Sequence, residues 1–241
     1  MGFILLEGGA EFGGQMELPD RHAISLAGGP DARISIIPAA AAPDNNHQHA
    51  GQTGMRWFQG LGATNVNALP LIDRPSADDP ALADFLENSK FIYLLGGFPH
   101  YLGCTLSGSR CWQAMLQAYH AGAVIGGSSA GAMVLCQNYY DPDSSQVMRG
   151  LGLIAGICVL PHHNTFGQGW AARLSQLLSD TLLVGIDEET GIIHDASEGF
   201  WRAFGKGEVT VYRGRQIEKF FPGQAFVLSR AIPSQKESNL L

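Results

Sequence analysis

Short apolar runs alternating with stretches of helical period constrain this chain more than any other feature. Phe3–Leu6, Ile34–Pro38, Ala68–Ile72, Phe91–Leu95, Ala123–Ile125, Ile157–Leu160 and Leu182–Ile186 are apolar almost without interruption. A strand with one wet face alternates apolar and polar residues, whereas a strand covered on both faces does not. The periodicity predicts helices over His49–Leu61, Pro80–Leu86, Cys111–His120, Ala130–Gln137 and Gly169–Leu178. Strand and helix in turn imply an α/β fold, a mostly parallel sheet with helices on both faces. After Asp187 the pattern changes. Gly191–His194, Phe200–Phe204, Val209–Tyr212 and Ala225–Leu228 read as short strands between glycine turns, an antiparallel edge to the same sheet. No repeat or linker-like stretch divides the chain, so the expectation is one α/β domain over 1–232 and a polar tail from Pro233 to Leu241.

Composition narrows the function. Hydrophobic residues make up 45% of the 241 positions and charged residues 15%, which suits a compact domain and argues against disorder. The 15 Lys and Arg stand against 22 Asp and Glu, and no basic run occurs, so nucleic acid is not expected as a partner. No stretch is long enough to span a bilayer. The chain enters its first strand at Phe3 without a basic leader, which gives the expectation of a cytoplasmic protein. Cys104, Cys111, Cys136 and Cys158 include no C-x-x-C pair, so neither a zinc site nor a redox motif is indicated; Cys136 and Cys158 read as reduced core residues.

The segment Ala123–Met133 is a strand, a turn of small residues and a helix start, with Ser129 framed by Gly127 and Gly131. That is the layout of a nucleophile elbow, in which a strained turn lifts the serine oxygen clear of the sheet. A tight structural turn is the bland alternative. A serine nucleophile needs a base, and the base needs an orienting carboxylate. His162 and His163 follow the run Ile157–Leu160, and Asp187, Glu188 and Glu189 follow Leu182–Ile186. In a parallel sheet those carboxyl ends share one edge, where the three groups converge. Phe91–Leu95 ends in Gly96 and Gly97, a turn that presents a backbone N–H without obstruction. The N–H groups of Gly97 and Ala130 are the candidate oxyanion hole. Glu7 and Glu11 line the same cleft or a solvated loop. The glycines Gly8, Gly9, Gly13 and Gly14 form no G-x-G-x-x-G and precede no Walker lysine, so they read as a loop beside the site.

The order of these pieces, with Gly150-Leu151-Gly152-Leu153 and Gly185-Ile186-Asp187-Glu188 between and after them, resembles the cyanophycinase and aspartyl dipeptidase family of serine peptidases. The resemblance runs from about Phe91 to Glu188. It implies a flavodoxin-like fold akin to class I glutamine amidotransferases, with serine in place of their cysteine. It also implies Ser129 as nucleophile, His162 as base and Glu188 as third member, with Asp187, Asp141 and Asp143 as other sources of that carboxylate. No metal or organic cofactor is implied. Two departures bear on substrate. The family pattern Gly-Gly-Asp/Asn-Gln is Gly96-Gly97-Phe98-Pro99 here, and the arginines that follow the family histidine are missing from His163–Gln168. The expectation is therefore a small peptide or amide other than cyanophycin, bound by Phe98, His100, Tyr101, His163 and Phe166. A repurposed ligand- or protein-binding member of the fold is the alternative. The fold class leaves a homodimer open.

Overall fold

A computed structural model of the chain describes residues 1–195 and 198–228. The strands are β1 (Phe3–Glu7), β2 (Ile34–Ile37), β3 (Val66–Ala68), β4 (Phe91–Leu94), β5 (Val124–Ser128), β6 (Asn138–Asp141) and β7 (Gln146–Arg149). They continue with β8 (Ile157–Leu160), β9 (Leu182–Ile186), β10 (Thr190–Asp195), β11 (Phe200–Gly205), β12 (Val209–Arg213), β13 (Gln216–Phe220) and β14 (Ala225–Phe226). The helices are α1 (Glu17–Leu26), α2 (His47–Gly60), α3 (Arg74–Ala77) and α4 (Pro80–Glu87). After them come α5 (Pro99–Leu106), α6 (Arg110–His120), α7 (Ala130–Leu135) and α8 (Ala171–Leu177).

The large sheet runs β14-β11-β10-β1-β5-β4-β2-β3. Its five strands from β1 to β3 are parallel, and β10, β11 and β14 extend it antiparallel. Alternation along the strands separates two cores. Leu5, Ile34, Ile36, Phe91, Tyr93 and Val124 face α1 and α2 on one side. Ile4, Leu6, Ile37, Ile92, Leu94 and Ile125 face α4 to α7 on the other.

Three expectations need correction, the first being that Val209–Tyr212 joins the antiparallel edge of the large sheet: β12 pairs instead with β9 in a second sheet. Ile157–Leu160 and Leu182–Ile186 do pair in parallel, but in that second sheet, of order β13-β12-β9-β8. The edge of β1 that they would have taken is filled by β10 in antiparallel register, Leu5 opposite Ile193. Val159, Val184 and Ile186 are therefore buried against the same core as Leu6 and Ile125. The third strand also moves, from the expected Ala68–Ile72 to Val66–Ala68, because Pro70 has no N–H to give a ladder. The expected tail from Pro233 lies outside the described residues.

Candidate active site

The elbow follows from close packing that only glycine permits. A Cβ on Gly127 would stand 2.5 Å from the carbonyl carbon of Gly131, and one on Gly131 would stand 2.2 Å from the Leu94 oxygen. The helix α7 is thereby pressed onto the ends of β4 and β5. Ser129 takes the turn between strand and helix at φ 47° and ψ −111°. A non-glycine residue at positive φ is strained, and such strain collects at functional positions. The Ser129 N–H donates to the Glu7 oxygen at 3.0 Å, and the Met133 N–H donates to the Ser129 oxygen at 3.0 Å, so both sides of the turn are pinned.

The second sheet brings the rest. His162 also has positive φ, 49°, and its N–H donates to the Gly8 oxygen at 2.6 Å. Its imidazole Nε2 lies 2.9 Å from Ser129 Oγ, and its Nδ1 lies 2.8 Å from Glu188 Oε1. With the proton on Nδ1, the ring donates to Glu188 and accepts from the serine hydroxyl. The Glu188 N–H donates to Asn164 Oδ1 at 3.0 Å, which fixes the backbone that carries the carboxylate. Phe166 stacks on the His162 ring at 4.8 Å between centroids and is itself 55% exposed, so it closes one side of the site while meeting solvent. Gly9 clears the other side, since a Cβ there would stand 2.2 Å from His162 Cε1.

The register places Gly127 opposite Leu94, so the turn after β4 lies beside the elbow. Gly97 has φ 133°, and a Cβ on it would meet the Ala40 oxygen at 2.3 Å. Neither the Gly97 N–H nor the Ala130 N–H has a backbone acceptor among the described residues. The preceding amide, Gly96, donates instead to Glu11 Oε1 at 3.1 Å. Phe98 follows directly, 37% exposed, and its N–H donates to the Ala40 oxygen at 2.9 Å.

Other candidates are not brought to this group. His163 is a correction: it is 3% exposed and points away from the triad, over Gly185, with Nε2 2.8 Å from the Tyr212 hydroxyl and Nδ1 3.6 Å from Asp187 Oδ1. The chain turns at His162, where φ is 49°, and that turn sends the next side chain into the second sheet. Burial there lowers the His163 pKa, and the Asp187 carboxylate works against that. Asp187 also accepts the Glu208 N–H at 2.9 Å. Asp141 accepts from Ser144 at the β6–β7 turn, and exposed Asp143 stands in that same turn. His100 lies along α5 with Cys104 Sγ 3.7 Å from its Nε2 and the Tyr139 hydroxyl 3.5 Å from its Nδ1. Arg173 donates to the Ser145 oxygen at 3.0 Å and lies over the Tyr140 ring. Among the described residues no group of three or more His, Cys, Asp or Glu is arranged to hold a metal ion, and no helix is long and apolar enough to cross a membrane.

Sequence reasoning missed a layer of acids beneath the serine. Glu7, expected along the cleft or in a solvated loop, instead ends β1 and is fully buried, as is Asp20 on α1. The Tyr93 hydroxyl donates to Glu7 Oε2, and Trp57 Nε1 donates to Asp20 Oδ2 at 2.7 Å. Glu7 Oε1 and Asp20 Oδ1 find no other donor. Burial, reinforced by the facing Asp20 carboxyl, raises the Glu7 pKa well above the usual range. Burial likewise pushes Asp20 to about 7. Burial shifts both carboxyls toward the protonated form. The signal in the sequence was Glu7 itself, an acid ending an otherwise apolar central strand.

The sequence profile of peptidase family S51 matches residues 4–199. The chain belongs to peptidase family S51. Among its S51 relatives, the cyanophycinase of Geminocystis herdmanii is 30% identical over 205 residues, 79% of this chain and 73% of the relative. The cyanophycinase of Synechococcus elongatus is 32% identical over 206 residues, and the match spans 79% of this chain but only 62% of that relative. A crystal structure of a peptidase from an acI-B1 Actinobacterium superposes with a TM-score of 0.83 at 26% identity, covering 95% of this chain and 97% of the other. A peptidase E candidate from Listeria monocytogenes shares the fold, with a TM-score of 0.63 at 17% identity over 86% of this chain and all of its own. An S51 chain is a hydrolase of the serine-peptidase class, and the mostly parallel α/β architecture agrees with these neighbours.

Proposed function

We propose that this S51 peptidase hydrolyses a peptide or amide through Ser129, His162 and Glu188, by way of an acyl-enzyme. The observation that carries the reading is the unbroken chain from Ser129 Oγ to His162 Nε2 at 2.9 Å and from His162 Nδ1 to Glu188 Oε1 at 2.8 Å. As Oγ attacks the carbonyl carbon, His162 takes its proton and Glu188 stabilises the imidazolium in the orientation required. The Gly97 and Ala130 N–H groups receive the oxyanion, and losing one such donor costs about 3 kcal/mol of transition-state stabilisation. His162 then protonates the leaving nitrogen, which departs. Water, deprotonated by the same ring, attacks the ester and frees the serine.

The relatives are cyanophycinases by name, but cyanophycin itself is a poor candidate for the substrate here. A carboxylate is best gripped by the bidentate fork of an arginine. The loop His163–Gln168 contains none, and the next arginine, Arg173, is committed to Ser145. Phe98 and Phe166 offer the site two exposed aromatic faces instead. The reading is tested by intact-mass labelling with a fluorophosphonate. One adduct mapping to Ser129, absent in Ser129→Ala and His162→Ala, is the expected result. No adduct on folded wild-type protein would refute an activated serine and favour a ligand-binding member of the family.

A further inference from the structure

A cavity of about 400 Å³ lies at the same sheet edge as the triad, between the ends of β2 and β3 and the first turns of α2. Pro38, Leu69 and Ile72 form its floor, with Met55, Gln52 and His47 around it. The lining is mostly apolar, with Gln48, Gln52 and His47 among it, and carries no acid, lysine or arginine. The Nδ1 of His47 is buried without a hydrogen-bond partner. In open α/β sheets, ligands gather outside the carboxyl ends where the strand order diverges. Here the order diverges between β2 and β4, one strand interval from the cavity.

We infer that this cavity is a distal subsite of the peptidase, which takes an apolar side chain three to four residues on the acyl side of the scissile bond. The inference rests on the serine-peptidase reading above. Three observations carry it. First, the cavity and the elbow share a backbone link: Pro38 lines the cavity, and two residues on, the Ala40 oxygen accepts the Phe98 N–H beside Gly97. Second, spacing fixes the length. From β5 across β4 to β2 and β3 is two to three strand intervals, roughly 10 to 14 Å, and an extended peptide covers that in about three to four residues. Third, polarity fixes the direction. His162 must protonate the leaving nitrogen, so the leaving group lies on the His162 side. The acyl chain then runs the other way, over Gly97 toward β2. The lining carries no charged side chain and so selects an uncharged one. A dipeptide spans too little to fill both places.

The test uses peptidyl phosphonate diphenyl esters on the intact protein. Ser129 Oγ attacks phosphorus, phenolate leaves, and His162 takes the hydroxyl proton, so the rate of adduct formation reports binding and serine reactivity together. One probe carries a single alanine; longer ones place leucine or aspartate at the third or fourth residue. The leucine probes are expected to react at least tenfold faster than the single-residue probe, and the aspartate probes to lose that gain. In Gln52→Trp, an exposed α2 position at the cavity, the ratio of long to short rates should fall toward one. Equal rates across length and side chain, with a simple fluorophosphonate still labelling Ser129, would overturn the subsite and leave the serine reading intact. Failure of every probe to label would refute the serine reading, and the subsite with it.

Discussion

Replacing Asp20 with asparagine tests how the acids beneath the serine are held. In the native protein Asp20 is fully buried and its pKa stands at about 7, against 3.8 for a free aspartate. The folded state therefore binds a proton that the unfolded chain has released, and stability is lost as pH rises from about 4 to about 7. Raising the Asp20 pKa from 3.8 to about 7 corresponds to about 4 kcal/mol, of which roughly two-thirds falls above pH 5. For a domain of this size that is about 6 to 12 °C in melting temperature between about pH 5 and about pH 8. Asparagine cannot ionise. Its oxygen still accepts from Trp57 Nε1, and its amide donates to Glu7 Oε1, the atom left without a donor. Thermal unfolding followed by circular dichroism across that range should show the wild type falling more steeply than Asp20→Asn, which keeps only the slope due to buried Glu7, with the curves converging at the acid end. Parallel curves would mean that Asp20 does not hold the extra proton, and the account of the layer would be wrong.

Other expectations follow from single contacts. Gly9→Ala drives a Cβ to 2.2 Å from His162 Cε1, so the ring must move; kcat should fall by about a hundredfold or more, while circular dichroism stays native. Glu11 holds the amide just before the candidate oxyanion donor. Glu11→Gln keeps an acceptor there and should retain kcat, whereas Glu11→Ala should lower kcat by about tenfold with little change in KM; equal losses would point to the charge rather than the position. Gly185→Ala places a Cβ 2.2 Å from His163 Cδ2 in the packed second sheet, and urea unfolding should show a loss of about 1 to 3 kcal/mol.

The parallel core of the fold was legible because β1, β2, β4 and β5 are covered on both faces and so are written as plain apolar runs. Elements with mixed chemistry were not. The helix α1 carries Pro19 and a polar outer face, α5 begins at Pro99 and contains Gly103, and the hairpin β6–β7 reads as the loop around Pro142. The second sheet escaped because an apolar run shows that a strand is buried, not which sheet buries it. Ser129, His162 and Glu188 were expected on one shared edge; they lie within hydrogen-bond distance of each other, but two sheets rather than one carry them. The orientation of His163 was illegible next to His162, since adjacent residues differ only in the face they take. The pairing of Glu7 with Asp20 needs α1, an element the periodicity did not reveal.

The division between sheets has a consequence during synthesis. The elbow is complete once β1, β4, β5 and α7 have emerged, but its imidazole and carboxylate arrive only with β8 and β9, and β10 must return to β1 to lock them. Three backbone bonds close that joint: His162 to Gly8, Glu189 to Gly9 and Gly8 to Thr190. A nascent chain emerging from the ribosome therefore displays a serine with no partner, as inert as any other hydroxyl. The three side chains stand together only once the second sheet has docked and β10 has closed the joint.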